Sequence, residues 1–329
     1  MESLKLTMAA QDYDHMRDLT SGEIKAQGID IIPLFYRPHD AFYRFMTYSE
    51  WEISEMSMGG YCASVADGTN KGIGIPVFPS RVFRQSAIFV RDDGSIKKPE
   101  DLAGKRVGVP EWGMTAVIYI RGWLTHQIGI PLSDIDWVQA GMNQPGRTEK
   151  IDLGNLPDGV TLTQIADKSC NEMLLSGELD AIFTAAPPAG FKSGKLRRLF
   201  PDFQPVESDY FDATGIFPIM HCMVIRNDTY ERHPWVATSL MKGFEEARDR
   251  SVARMMNHGT QVPMPWTFLA VEEYKRRMFP DSEYWPYGIE PNRTTLDAFL
   301  QYCDEQGVTS RKLSVEEIFA PEVQTDARE

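Results

Sequence analysis

The chain opens with short apolar runs alternating with stretches of helical period. "LKLTMA" is followed by "HMRDLTSGEI", "IDIIPLFY" by "DAFYRFMTY", and the strand-like "EISEMSM" comes next. Strands and helices alternating in this way predict an α/β chain with a mainly parallel sheet covered by helices. From Gly72 onward, "SAIFVR" and "KRVGV" read as strands on either side of "DDGSIKKPEDLAG", a turn with a short helix. After "VPEWGM", Thr115 is placed to cap a helix whose apolar stripe is Val117, Ile120, Leu124 and Ile128 and whose end is Gly129. A buried strand is expected over 180–184, then a loop at Pro187–Pro188, then the strand "GIFPIMHCMVI". From Tyr230 the pattern turns helical, in "WVATSLMKGFEEARDRSVARMM" and "TTLDAFLQYCDEQG".

A chain of 329 residues exceeds one ordinary core, and the order of elements suggests two lobes. Residues 1–85 and 222–329 would form one lobe and residues 86–221 the other, with "SAIFVR" and "MHCMVI" as the two crossings. Open α/β sheets bind ligands beyond the carboxyl ends of their strands, so a cleft between two such sheets collects loops from both.

Composition narrows the function. Hydrophobic residues at 42% and charged residues at 25% are globular values. A net charge of −13 argues against a nucleic-acid partner, since phosphate binding needs a basic face. An anionic ligand would have to be held by a few placed cations. Cys62, Cys170, Cys222 and Cys303 form no C-x-x-C pair and read as buried thiols of a reducing compartment. The start "MESLKLTMAAQDYD" lacks the pattern of a secretory leader, and no run of about 18 apolar residues occurs. A cytoplasmic protein without membrane contact is expected. The H-E-x-x-H, G-x-S-x-G, P-loop and dinucleotide signatures are absent, which lowers zinc-hydrolase, serine-hydrolase and nucleotide chemistry.

Candidate chemistry gathers at the loops. "FPSRVFRQS" sets Arg81 and Arg84 beside Phe78 and Phe83, a pairing suited to a benzoate-type ligand; ion pairs across the lobe interface are the alternative. The "GVPEWGMTA" loop offers Glu111 as an acid or base, or as a salt-bridge partner, with Trp112 as a stacking wall. The helix start at Thr115 is a ready place for a carboxylate. His221 interrupts the apolar "GIFPIMHC", either as a satisfied core histidine or as a proton-transfer group where the chain changes lobe. "QDYDH" places Asp12, Tyr13, Asp14 and His15 in a cleft loop; its donors could take a hard metal, although no second carboxylate cluster supports one. Arg37, beside His39 in "RPHD", is a third possible anion contact.

The strings "FPSRVFRQSAIFVR", "PEDLAGKRVGVPEWGMTAVIYIRG", "TGIFPIMHCMVIR" and "YWPYGIEPNR" resemble the 4,5-dihydroxyphthalate decarboxylase family, over about Leu4 to Phe319. Members are built like the type 2 periplasmic solute-binding proteins. The resemblance implies a two-lobed periplasmic-binding-protein-like fold, with Ser80, Arg81, Arg84, Glu111, Thr115 and His221 at the family's cleft positions. Many relatives carry a basic residue just before the Pro pair, where this chain has Ala186, which implies that one ligand clamp is missing or altered. The implied activity is loss of carbon dioxide from a hydroxylated aromatic dicarboxylate. The ring itself serves as electron sink, so no organic cofactor is expected, while a divalent metal is left open. Arg81 and Arg84 would clamp the spectator carboxylate, Glu111 would serve the phenol and His221 the ring carbon, with the last two roles interchangeable. A solute-binding protein for an aromatic or other small carboxylate is the alternative. The aromatics of "MPWTFLAVEEY" and "EYWPYG" could form a subunit contact in a homo-oligomer, or pack within one lobe.

Overall fold

A computed structural model describes residues 3–154, 156–259 and 261–324. Two sheets carry the two lobes. The first has the order β2-β1-β3-β11-β4, from β1 (Leu4–Ala10), β2 (Ile29–Phe35), β3 (Ile53–Ser57), β4 (Gly72–Arg81) and β11 (Ile219–Arg226). The second has the order β10-β5-β9-β6-β7-β8, from β5 (Ile88–Arg91), β6 (Arg106–Val109), β7 (Asp136–Gly141), β8 (Thr161–Ser169), β9 (Ala181–Phe183) and β10 (Leu196–Arg198).

In the first sheet β2, β1 and β3 are parallel, as the alternation with helices predicts, but β11 runs antiparallel between β3 and β4. The strand read as a crossing is therefore an inner strand of the first sheet from Ile219 onward, and the boundary read at 221/222 falls within it. The chain passes between the sheets at residues 82–87 and again over 199–218.

β4 lacks a strand signature because Pro76 and Pro79 interrupt it. It is nevertheless an edge strand, where a missing N–H need not break a ladder. The helix after β6 covers Thr115–Trp123, loosens into a wider turn over Leu124–Ile128 and stops at Gly129, whose φ of 80° suits glycine. Met114 rather than Thr115 is its cap residue, and no side chain caps it.

The main core includes Ile53, Ile75, Val77, Ile219, Met223 and Ile225, fully buried in the first sheet, and a smaller cluster around Val138, Met173 and Ile182 lies in the second lobe. All four cysteines are buried free thiols. Among the described residues, no helix is long and apolar enough to cross a membrane.

Candidate active site

The carboxyl ends of β1, β2, β3 and β4 and the start of antiparallel β11 lie on one edge of the first sheet. This edge brings together residues far apart in sequence. His221 pairs in register with Ser57 at the end of β3 and with Ser80 near the end of β4. The ladder is irregular on both sides of His221. Its imidazole is 17% exposed and lies edge-on to Phe42, with ring centroids 4.8 Å apart.

Behind the imidazole stands Glu55, in the middle of the sheet's central strand and 0% exposed. His221 Nδ1 lies 2.6 Å from Glu55 Oε1, which also accepts the Tyr13 hydroxyl at 2.5 Å. Glu55 Oε2 accepts the Gln11 amide N–H at 2.9 Å. Burial pushes the Glu55 carboxyl up, but the His221 imidazole and the donors of Tyr13 and Gln11 outweigh it and hold the group below its ordinary value. The Tyr13 phenol is pushed far up, first by burial and then by Glu55, while a hydrogen bond from Ser80 opposes the rise.

Thr115 comes from the second lobe and ends beside this group. Its hydroxyl is 2.8 Å from Ser57 Oγ and accepts the Gly59 amide N–H at 3.0 Å. The two helix starts pack so closely that a Cβ on Gly59 would lie 2.4 Å from the Gly113 carbonyl oxygen.

The second lobe faces the edge with charge. Glu111, at the end of β6, takes Arg147 Nε at 2.7 Å and Lys150 Nζ at 3.1 Å on the same oxygen. It therefore adopts the salt-bridge alternative. Next to it Glu149 accepts the Trp112 and Gly113 amides, and burial and then Glu111 raise its carboxyl. Lys150 is lowered by burial, with Glu111 opposing. His39, on the Pro38–Tyr48 helix of the first lobe, is lowered by partial burial and by Lys150 and Arg147, so these cations act across to the first lobe. One turn along that helix is Phe42, the ring against His221.

The remaining candidates divide. Arg84 Nε meets Met220 Sδ at 3.0 Å and its Nη1 donates to the Ala185 carbonyl at 3.1 Å, beside His221 and the Ala186 loop. Arg37 is exposed at the start of its helix and forms no side-chain hydrogen bond or ion pair among the described residues.

Arg81 does not join them. Its guanidinium is 5% exposed, donates to Asn292 Oδ1 at 2.6 Å and to the Phe217 carbonyl at 2.9 Å, and lies 4.4 Å from the Phe217 ring centroid. It borders a separate cavity of about 510 Å³ with Phe83, Phe217 and Trp285. The physical reason is strand alternation: Ser80 pairs with His221, and its neighbour turns the other way. Trp112 is no stacking wall either. It is 0% exposed, with Nε1 donating to the Gln306 carbonyl at 2.8 Å and Arg121 stacked 3.6 Å from its ring.

The "QDYDH" residues also scatter. Asp14 binds Arg17 and Ser251, and His15 packs between Tyr13 and Trp285. Trp285 and Tyr287 of the C-terminal aromatic string pack inward, whereas Trp266 is 74% exposed.

Glu55, Arg147 and Lys150 were not anticipated. A charged residue in the middle of the strand-like "ISEMS" is a signal for the first. The two cations lie in a polar loop without a pattern.

Comparison with known proteins identifies the family and the fold. The family model described as NMT1/THI5 like matches residues 71–258. The chain is 35% identical over 325 residues to a 4,5-dihydroxyphthalate decarboxylase of Comamonas testosteroni, covering 98% of each chain. It is 37% identical over 215 residues to the Pseudomonas putida protein of the same name, covering 65% of this chain and 83% of that one. The fold is that of the periplasmic aliphatic sulphonate-binding protein SsuA of Escherichia coli, with a TM-score of 0.53 at 15% identity, covering 98% of this chain and 99% of that one. A likeness along nearly the whole length, together with a two-lobed binding-protein fold whose strand ends meet at His221, establishes that the chain belongs to the 4,5-dihydroxyphthalate decarboxylase family.

Proposed function

We propose that the protein decarboxylates a hydroxylated aromatic dicarboxylate, converting 4,5-dihydroxyphthalate to protocatechuate, in the cleft between the two sheet edges. The observation that carries this reading is the partly exposed imidazole of His221, backed by a buried carboxylate; the Glu111, Arg147 and Lys150 cluster acts on His39, one turn from the Phe42 ring that packs against His221.

The leaving carboxylate of this substrate is para to one hydroxyl. Transfer of that phenolic proton to Glu111 drives electron density onto the carboxyl-bearing carbon. The His221 imidazolium delivers a proton from Nε2 to that carbon, giving a dienone. The bond to the carboxylate then breaks, carbon dioxide leaves with its electrons returned to the ring, and the phenolate recovers its proton. A proton has replaced carbon dioxide, and the ring has served as electron sink without an organic cofactor. The roles of Glu111 and His221 can also be exchanged.

Arg84, Arg147 and Lys150 are the clamp for the spectator carboxylate, with Arg37 at the rim. Arg81, whose Nη1 and Nη2 donate to neutral acceptors away from His221, is left to structure. Closure of the lobes strengthens these contacts by excluding water.

The test is incubation of the purified protein with 4,5-dihydroxyphthalate, with and without added divalent metal, following protocatechuate beside a His221→Ala variant. Turnover by the parent and a fall of roughly 10²- to 10⁴-fold in a variant that still binds phthalate are expected. Tight binding without turnover under both conditions would sink the reading and leave a solute-binding protein.

A further inference from the structure

Glu55 is costly to bury, and its setting explains what it does. It is a carboxylate at 0% exposure in the central strand, with no arginine or lysine among its hydrogen-bond or ion-pair partners in the described residues. A packing role in β3 would be met by an apolar side chain, as at Ile53 and Met56. Among the described residues, three donors compensate Glu55: the Gln11 amide on Oε2, and the Tyr13 hydroxyl and His221 Nδ1 on Oε1.

These donors leave the imidazole one arrangement. Tyr13 keeps its proton, because burial and Glu55 both push its phenol up, so its hydroxyl donates to the carboxylate. At 3.4 Å it is a poor partner for His221 Nδ1. Nδ1 faces an ionised oxygen at 2.6 Å and must carry a hydrogen. Nε2 has no hydrogen-bond partner among the described residues and is the nitrogen left for a ligand. Tyr13 in turn is fixed by Ser80, the register partner of His221.

We infer that Glu55 is a positioning residue of this site: it holds the Nδ1–H of His221, so that Nε2 is the nitrogen that exchanges protons with the substrate. The kinetic part of this inference rests on the decarboxylase reading; the tautomer does not.

The experiment records the ¹⁵N–¹H correlation spectrum of histidine-labelled protein, assigned with His221→Gln, alongside the kinetics of Glu55→Gln and Glu55→Asp. In the parent, neutral His221 is expected to show its proton on Nδ1. A glutamine at 55 either points its amide hydrogens at Nδ1, forcing the proton to Nε2, or turns them onto the Gln11 N–H. Glu55→Gln is therefore expected to shift His221 toward the Nε2–H form and lower kcat about 10²- to 10⁴-fold, with KM within about threefold. Glu55→Asp keeps a carboxylate and should recover at least about tenfold of the loss.

A parent spectrum with the proton on Nε2 overturns the inference, and this outcome needs neither Glu55 variant to fold. Unchanged kcat in a Glu55→Gln protein whose tautomer has shifted also overturns it. If the parent releases no carbon dioxide, the functional reading fails, while the tautomer is still decided by the parent spectrum.

Discussion

Thr115 of the second lobe reaches Ser57 of the first, with hydroxyl oxygens 2.8 Å apart, and accepts the amide hydrogen of Gly59 at 3.0 Å with the same atom. One side chain thus ties the start of the second lobe's helix to the strand end that adjoins His221. Thr115→Val keeps the shape and removes the oxygen. It leaves the buried Gly59 N–H without its acceptor, so a loss of about 1–3 kcal/mol is expected in urea unfolding. Thr115→Ser, which keeps the hydroxyl, should recover most of it.

Arg147 and Arg81 make opposite predictions. Arg147→Met removes a cation from the cleft, and KM for 4,5-dihydroxyphthalate is expected to rise about 10- to 100-fold, the loss of one charge-assisted hydrogen bond. Arg81→Met leaves Asn292 Oδ1 and the Phe217 carbonyl short of a donor away from the cleft. Its expected effect is on stability, about 1–3 kcal/mol, with KM little changed. Steady-state kinetics and denaturation of both variants separate the roles, and a large KM effect from Arg81→Met would return it to the clamp.

Trp112→Phe tests the correction beside Glu111. The indole is buried, donates to the Gln306 carbonyl and carries Arg121 on its face. Substitution should lower the unfolding midpoint and leave phthalate affinity within about twofold. A marked loss of affinity in a stable variant would mean that the indole reaches the ligand.

His15 supplies a pH prediction. Burial lowers its imidazole to about 4, with weaker raising contributions from Pro79, Asp14 and Glu55 and a lowering one from Arg248. The folded protein keeps it neutral, while the unfolded chain takes up a proton near pH 6.5. The folded-state pKa is depressed, so the contribution is fully present above about pH 6.5 and is lost as pH falls toward 4. It is of order 3 kcal/mol. Urea midpoints measured between pH 7 and 4.5 should fall less steeply for His15→Phe than for the parent.

The fold was legible where local signals agree. Alternating strands and helices, the helix end at Gly129 and the loops after β6 and β9 follow from period and turn chemistry. His221, Glu111 and Arg84 could be singled out as candidates because each is a polar residue set at a strand end or crossing of the sequence pattern. Arg81 and Trp112 were misjudged because adjacency in sequence does not give direction: each sits beside a cleft residue and points away from it. Glu55 reads as one member of a strand until β11 is set against β3, and that pairing joins residues 166 positions apart. Arg147 and Lys150 depend on a loop whose course only the assembled second lobe defines.

The insertion of β11 between β3 and β4 also bears on how the molecule is made. β3 and β4 pair with β11 and not with each other, so the first sheet stays split until residue 226 has been synthesised. The strands of the second sheet lie within residues 88–198 and can pair before that point. Domains that can close early on the ribosome do so, and long-range pairings wait. His221 arrives on the strand that completes the first sheet, and until then Glu55 lacks one of its three donors in a half-built sheet. A nascent chain released before β11 docks exposes two open strand edges. The event that assembles the proton-transfer group therefore also removes those open edges, so folding and acquisition of chemistry share one late step.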